Sequence, residues 1–427
     1  MTRTRRIGLW LAVLGAVVLA PAGPTLGTAA AQDTTVTKGK GEKKAKGEKG
    51  EKGEKGEKGE KGEKGEKGDK GEKGDKGPKS PAEEAASAAS RRAKLSRDSV
   101  EALARPLFAS RDPLPFTLIA NFTNIGKDRD SLSKTRHAAT LVVKDNAGAE
   151  RRIAVQLRTR GHFRLKKSTC RFVNLLVLFP GKKEELAGTP FDGQKSLKLG
   201  AHCQNDDRYE QLLRREYLAY TLLDELTPRS FRARLAAGTY VDSANGKTVA
   251  TRAAMFIEHE DDMAARQGGR VREFRRALFD DVDFRTLDRM ALFEYMIGNT
   301  DWSIYALHNV RLVVTDSAGV LPIPYDFDFS GLVNAPYAGP APQLQIRSVR
   351  ERLYRGPCRT WDELAPAVAE FTARKAQLMA IPGKVPGLDS GERRDAEEFL
   401  SEFFATAGDR GEAKRAFIDG CLRKPGA

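Results

Sequence analysis

Residues 298–331 read GNTDWSIYALHNVRLVVTDSAGVLPIPYDFDFSG, and this stretch decides how the sequence is interpreted. A loop with one Asp comes first, two short runs of β-forming residues follow, and a second loop carries two more Asp residues. The runs at 310–314 and 321–324 predict a hairpin that brings the two loops side by side. The polar side chains expected to converge there are Asp301, Asn309, Asp326 and Asp328.

Carboxylate oxygens combined with an amide oxygen suit a hard divalent cation such as Mg²⁺ or Mn²⁺. A metal held in this way neutralises nucleotide phosphates during phosphoryl transfer, so the spacing predicts a nucleotide and metal site. The structural alternative is that Asp301 and Asp326 only form Asx-turns or cap their loops. His308 is expected to pack in the core, and a supporting contact to the site is the alternative.

Three short motifs in this stretch carry a resemblance to a known family. NTD at 299–301, HN at 308–309 and YDFD at 325–328 resemble the motifs of the spore-coat protein H (CotH) kinase family in the same order. The resemblance implies an α+β, bilobal protein-kinase-like domain with a β-rich N-lobe and a helical C-lobe. It also implies an atypical protein kinase that uses ATP or another nucleotide, with Mg²⁺ or Mn²⁺.

The resemblance assigns roles to four residues. Asp301 would be the catalytic residue that orients or deprotonates the acceptor hydroxyl. Asn309 would hold a metal ion, and Asp326 would be the main metal ligand, with Asp328 as a second candidate. One departure is that Asp301 and Asn309 are eight positions apart, whereas the two residues are about five apart in protein kinases.

The resemblance extends upstream and covers roughly residues 150–335. Arg160-Gly161 and the following lysines resemble an early segment of the family, and Phe256-Ile-Glu258 resembles a strand that ends near the interlobe hinge. No Gly-x-Gly-x-x-Gly loop is present to cover phosphates. The residues that the resemblance assigns to nucleotide binding are Lys167, Lys198, Glu216 and Glu258.

Glu216 also stands out by its position on a predicted helix over 207–226. The three- and four-residue spacing places it on one face with apolar Leu212 and Leu223. A carboxylate on an apolar face needs a cationic partner, because unpaired burial is costly. Lys198 is the expected partner and Lys167 the second candidate; the structural alternative is an ion pair with a neighbour such as Arg215.

Secondary-structure signals divide the globular part into two halves. Strand-like runs dominate up to Glu258, with one amphipathic helix among them, and helical patterns dominate after Asp283. The pattern predicts a β-rich half followed by a helical half within one domain over 107–427. The strand-like runs lie at 115–120, 137–143, 153–157, 172–179, 196–199, 238–241 and 250–258.

The N-terminal residues predict export from the cytoplasm. Arginines precede an apolar run over 7–20, and Ala29-x-Ala31 fits a signal-peptidase site, so 1–31 is interpreted as a signal peptide. The apolar run is short for a membrane span, although an uncleaved anchor is the alternative. We therefore expect a protein that is secreted, periplasmic or on the cell surface, with no transmembrane segment after cleavage.

A low-complexity tract occupies 32–79. Glycine recurs at every third position over 47–77, mostly as Gly-Glu-Lys, which is the collagen period. This predicts either a trimeric collagen-like stalk or a disordered charged linker. An Ala-rich helical neck or linker is expected over 80–106.

Charge and cysteine content narrow the function classes. The net charge is +15, and basic clusters at 151–171 and 266–276 favour phosphates, acidic proteins or anionic surfaces, or are simply a solvated face. The predicted export disfavours nucleic acid as a partner. Four cysteines permit two disulfides in three pairings, of which Cys170–Cys203 with Cys358–Cys421 is the most local.

Three functions remain in competition at this point. The leading one is an extracytoplasmic protein kinase that phosphorylates an envelope or secreted protein. The second is a stalked surface or adhesive protein whose kinase-like domain is degenerate, and the third is a metal-dependent phosphohydrolase that uses Asp326 and Asp328. A zinc hydrolase and an α/β-hydrolase are disfavoured, because neither His-Glu-x-x-His nor Gly-x-Ser-x-Gly occurs.

Overall fold

A computed structural model describes residues 80–423 of the chain. The predicted signal peptide and the Gly-x-y tract lie outside the described residues, so both stay predictions. The first described element is the helix α1 (Pro81–Leu103), which coincides with the predicted neck. Ser80 caps it in a capping box with Glu83, which satisfies backbone donors at the start of the helix.

Seven strands of the first half form a closed barrel in the order β1-β2-β3-β4-β5-β7-β6. In β3, Ile153, Val155 and Leu157 are buried while the residues between them are less so, which is the period-two pattern of a barrel wall. The strands are β1 (Leu114–Ala120), β2 (His137–Lys144), β3 (Glu150–Arg160), β4 (Asn174–Leu178), β5 (Ser196–Gly200), β6 (Ala233–Asp242) and β7 (Thr248–Ile257).

The expected bilobal protein-kinase-like fold is wrong, because the first half closes on itself. β1 pairs in parallel with β6 from Leu114 opposite Ala236 to Ala120 opposite Asp242, and this pairing joins the two ends of the sheet. The other neighbours in the barrel are antiparallel. A closed sheet leaves no open edge strand, so a barrel replaces the predicted N-lobe.

A small second sheet carries the predicted hairpin. Its order is β10-β9-β8, with β8 at Gly269–Val271, β9 at Val310–Thr315 and β10 at Gly319–Pro324. β9 and β10 pair antiparallel from Val310 opposite Pro324 to Thr315 opposite Gly319. The predicted hairpin is therefore confirmed, whereas β8 was not foreseen.

Helices supply the rest of the described chain. α3 connects strands β5 and β6 of the barrel in sequence, and Asp206 caps its first turn by accepting a hydrogen bond from the Arg208 backbone. The helices after α1 are α2 (Phe122–Ile125), α3 (Asp207–Leu226), α4 (Glu260–Arg266), α5 (Phe284–Met296), α6 (Trp361–Ala373), α7 (Lys375–Met379), α8 (Ser390–Gly408) and α9 (Arg410–Lys414).

Two large apolar clusters stabilise the two halves. One fills the barrel and includes Leu118, Leu157 and Phe256. The other joins α3, α5, the second sheet and the C-terminal helices, with Phe293 and Phe327 among its fully buried members. The candidate loops therefore lie on a packed helical core, which fixes their position.

Both disulfides of the most local pairing form: Cys170–Cys203 and Cys358–Cys421. They close loops of 33 and 63 residues, which lowers the entropy of the unfolded chain. Between residues 80 and 423, none of the helices has the length and apolarity required to cross a membrane.

Candidate functional site

Two glycines join the loops that carry the predicted site. The Gly331 backbone N–H donates to the Gly298 carbonyl at 3.0 Å, so the loop after α5 and the loop after β10 run side by side. Gly298 has φ +66°, and a Cβ at Gly331 would lie 2.3 Å from the Val349 carbonyl oxygen. Only glycine fits this close approach without a shift of the backbone.

Asp301 is fixed by a chain of hydrogen bonds that starts in α5. The Glu294 carboxyl accepts from the Asn299 amide nitrogen at 2.9 Å, and the Asn299 amide oxygen accepts from the Asp301 backbone at 3.0 Å. Burial raises the pKa of Glu294 to about 8. The loop is thus supported from the core, while the Asp301 side chain stays 40% exposed.

The Asp301 carboxylate has two side-chain neighbours. His308 Nε2 lies 3.1 Å from Oδ1, and the Asn309 amide nitrogen donates to Oδ2 at 3.1 Å. The hydrogen bond to Asp301 raises the pKa of His308, burial opposes the rise, and the charge of Asp326 adds to it. His308 is 55% exposed, so the expectation that it packs in the core is wrong.

The backbone at this site is in the left-handed region at three residues that are not glycine. Leu307 has φ +54°, Asn309 +53° and Asp326 +67°. Such conformations cost energy and concentrate at functional sites, although Asn and Asp tolerate them better than other residues. The Tyr325 backbone donates to the Asn309 carbonyl at 3.0 Å, which ties Asn309 to the loop of Asp326.

Asp326 is anchored through its backbone and not through its carboxylate. Its N–H donates to the Tyr220 hydroxyl of α3 at 3.0 Å, and the next residue, Phe327, packs on Tyr220 and Phe293. Within residues 80–423, no side chain forms a hydrogen bond or an ion pair with the Asp326 carboxylate. A partly exposed carboxylate is therefore presented on a rigid loop.

A buried ionic cluster lies behind this loop. The Arg164 guanidinium lies 3.2 Å from the Asp328 carboxylate and 3.7 Å from that of Glu216, and the Tyr337 hydroxyl bonds both Arg164 and Asp328. Burial raises the pKa of Asp328 to about 6, Arg164 opposes this, and Asp326 adds to the rise. One Asp328 oxygen is thus occupied by structural contacts.

The predicted partners of Glu216 are wrong, because Arg164 takes their place. Lys198 points instead to the rings of Tyr325 and Phe231, at 4.5 and 5.3 Å. Arg215, the alternative partner, is also wrong, because it pairs with two acidic residues of α8, Glu392 and Asp395.

Lys198 nevertheless lies beside the Asp326 loop. Burial lowers the pKa of Lys198 to about 7; Arg160 and Arg311 lower it further, while Glu260 and Asp326 oppose the fall. No carboxylate of the described chain is within 4.0 Å of its ammonium group. A negatively charged ligand beside Lys198 would stabilise its ammonium form, because the ligand charge offsets the cost of burying the positive charge.

The other two residues assigned to nucleotide binding lie elsewhere. Glu258 is fully buried, and its carboxylate accepts from the guanidinium groups of Arg232 and Arg266 at 2.7–2.9 Å. Lys167 is exposed and lines a surface pocket with Lys127. The structure therefore brings together Asp301, Asn309, Asp326, Asp328, Glu216 and Lys198 only.

Sequence reasoning missed three contributors. Arg164 and Tyr337 complete the buried cluster, and Glu294 supports Asp301. Arg164 was one of many basic residues in 151–171, with no local sign that it alone is buried. Glu294 did carry a signal, because a Glu between the apolar residues of α5 requires a buried partner.

The side-chain oxygens of Asp326 and Asn309 are of the kind that hard divalent cations prefer. Asp326 supplies free carboxylate oxygens, and no described donor reaches the Asn309 amide oxygen. Between residues 80 and 423 there is no group of three His, Cys, Asp or Glu side chains arranged for a metal. Mg²⁺ commonly uses one or two carboxylates and completes its shell with water and phosphate oxygens, which this pair of residues allows.

Neither a protein-family model nor a curated protein matches this chain.

Proposed function

We propose that the chain is an exported, metal-dependent phosphotransferase that moves a phosphoryl group from a nucleotide to a hydroxyl group of an envelope or secreted protein. The observation that carries the proposal is the Asp326 carboxylate, which has no protein partner in the described chain and lies on left-handed backbone beside Asn309 and Asp301. The motif order supports the chemistry of CotH kinases without their expected fold.

Asp326 and the Asn309 amide oxygen would hold Mg²⁺ or Mn²⁺, with the second oxygen of Asp328 as a further candidate. When bound, the ion would neutralise charge on the phosphate oxygens of the nucleotide. Lys198 would contact the same phosphates, because its ammonium group lies beside the Asp326 loop without a carboxylate partner.

Asp301 would accept the proton of the acceptor hydroxyl. As that oxygen bonds to the terminal phosphorus, the bond from this phosphorus to the bridging oxygen breaks, and a nucleoside diphosphate leaves with the electron pair. The Asp301 carboxylate is 40% exposed, so an acceptor can reach it. His308 and Asn309 hold the carboxylate in one orientation.

The proposed location outside the cytoplasm is supported by one structural observation and one prediction from the sequence. Both disulfides form, and disulfides persist in oxidising compartments; the N-terminal residues also predict a signal peptide. The Gly-x-y tract would act as a stalk and, as a triple helix, would join three copies.

The test is phosphate transfer by the purified chain from γ-labelled ATP with Mn²⁺ or Mg²⁺, following autophosphorylation and nucleotide loss. We expect turnover in wild type and in Asp316→Asn, which changes an exposed Asp of the same hairpin, and none in Asp326→Asn. Absence of both turnover and nucleotide binding in wild type would favour the non-catalytic, stalked adhesive protein.

A further inference from the structure

A basic pocket lies next to the buried ionic cluster. It has a volume of about 600 Å³ and is formed by the segment after α2 and the turn at Phe163–Leu165. No carboxylate of the described chain lines it. The residues that matter for its chemistry are Lys127, Arg129, His162, Phe163, Lys166 and Lys167.

The pocket is held in shape by Arg129. Its guanidinium donates to the carbonyl oxygens of Leu165, Cys170 and Arg171 at 2.7–3.1 Å. The Cys170–Cys203 disulfide fixes the end of the same segment. Because these partners are neutral carbonyl groups, the positive charge of Arg129 is not cancelled by a carboxylate.

Asp128 and Asp130 flank Arg129 in sequence, and neither lines the pocket. The Asp130 carboxylate accepts a hydrogen bond from the Leu132 backbone N–H at 2.9 Å. Asp128 lies between two of the cationic residues in sequence, but its carboxylate contacts His137 Nε2 at 2.9 Å. The Lys127, Lys166 and Lys167 side chains are all exposed, and Lys166 lies 5.0 Å from the centre of the Phe163 ring. An anionic ligand would therefore meet four positive charges and one aromatic ring.

The turn that forms the pocket also forms the wall of the candidate site. Arg164 points inward to Asp328, while its neighbour Phe163 packs on Phe329 at 5.3 Å and on Tyr337 at 5.9 Å. The pocket is thus separated from the Asp326–Asp328 loop by one layer of side chains. Phe163 lines the pocket and contacts Phe329, so a chain bound in the pocket would lie beside the loop that carries Asp326.

We infer that this pocket binds an acidic segment of the acceptor protein, close to the hydroxyl that receives the phosphoryl group. The inference rests on the proposed function. One phosphate group carries at most two negative charges, whereas the pocket presents four separate cations over about 600 Å³. A peptide with several carboxylates matches that spread of charge better than a single small anion does.

The test is binding of a fluorescent hexaglutamate peptide to the full chain, followed by anisotropy without nucleotide. A triple variant, Lys127→Ala, Lys166→Ala, Lys167→Ala, loses three lysine–carboxylate pairs with the peptide. We expect this variant to bind the peptide about tenfold or more weakly. The matched control is Lys144→Ala, Lys247→Ala, Lys384→Ala, which removes equal charge at exposed lysines outside the pocket. Thermal unfolding of both variants checks that they remain folded.

The expected result is loss in the pocket variant and retention in the control. Equal loss in both variants, or no binding by wild type, would overturn the inference. Displacement of the peptide by equimolar inorganic phosphate or ATP would also overturn it, because the pocket would then serve small phosphates. Asp301→Asn is expected to lose transfer and keep peptide binding, so a failure of the proposed function is distinguished from a failure of this inference.

Discussion

Glu258 and Asp326 each follow a strand, and their surroundings are opposite. Glu258, after β7, is fully buried, and two guanidinium groups satisfy its carboxylate. Asp326, after β10, is partly exposed, has φ +67° and lacks a side-chain partner among the described residues. The difference teaches that a satisfied carboxylate serves the fold, whereas an unsatisfied one on strained backbone is available to a ligand.

Asp326→Asn gives the largest expected effect on activity. Loss of the metal-binding charge is expected to reduce phosphate transfer by about 10³-fold or more, since a metal supplies several kcal/mol of charge stabilisation. The free energy of unfolding should change by less than ~1 kcal/mol, as for other exposed sites. Labelled-phosphate transfer and urea unfolding measure the two effects. A large loss of stability would show that the Asp326 carboxylate, like that of Glu258, serves the fold and not a ligand.

Glu258→Gln is expected to show the reverse pattern. The change leaves the buried Arg232 and Arg266 charges without a counter-ion, which costs about 3–5 kcal/mol of unfolding free energy. Folded protein should keep its affinity for nucleotide. Urea unfolding measures the loss of stability, and the control is Glu84→Gln on the exposed first turn of α1. Unchanged stability together with lost nucleotide binding would instead support the predicted nucleotide-binding role of Glu258.

Asp301→Asn tests whether the loop of Asp301 and the loop of Asp326 have different functions. Removal of a proton acceptor is expected to reduce transfer by about 10²–10⁴-fold. Nucleotide affinity should stay near wild type, because Asp301 acts on the acceptor. Transfer rates and nucleotide titration are measured side by side. A variant that loses nucleotide affinity as strongly as Asp326→Asn would mean that both loops bind the metal.

The pH dependence of nucleotide binding sharpens the role of Lys198. Burial lowers the pKa of Lys198 to about 7, so the ammonium form is present below that pH and is lost as the pH rises. We expect nucleotide affinity to fall about tenfold from pH 6 to pH 8. Lys198→Met should bind weakly at both values, with Lys144→Met as the control. A pH profile that survives in Lys198→Met would exclude this assignment.

The prediction for Glu294 concerns stability and not activity. Its pKa is raised to about 8 by burial, whereas the unfolded chain loses that proton near pH ~4.3. The folded state therefore holds the extra proton between these values, and the free energy of unfolding falls as the pH rises through this window, by at most ~1.4 kcal/mol per unit. Glu294→Gln should remove this slope in urea unfolding between pH 5 and 8; an unchanged slope would contradict the assignment.

Local sequence patterns were sufficient to predict individual strands and helices. They were not sufficient to predict the strand pairing that closes the barrel. The strand in 153–157, the helix over 207–226 and the hairpin of β9 and β10 follow from period and β-propensity within one short window. The pairing of β1 with β6 joins residues about 120 positions apart. No local signal records such a contact, so the barrel was not foreseen.

The residues of the candidate site also form two groups: those that local sequence pattern predicts and those that it does not. Asp301, Asn309 and Asp326 were predictable as a group because one hairpin connects them within 298–331. The Arg164–Glu216 contact joins a turn to a helix 52 positions later, and several nearby cations were equal candidates by sequence. Long-range partners are chosen by packing, which the sequence alone did not reveal.

Direct binding of Mn²⁺ with a non-hydrolysable ATP analogue tests the central claim most directly. Binding to the wild-type chain, Asp326→Asn and Asp316→Asn would be measured by titration calorimetry or by the electron paramagnetic resonance signal of Mn²⁺. The account predicts that metal and analogue bind together in wild type and Asp316→Asn, and that Asp326→Asn loses the metal. Equal binding by all three would show that the unsatisfied Asp326 carboxylate is not the ligand-binding group.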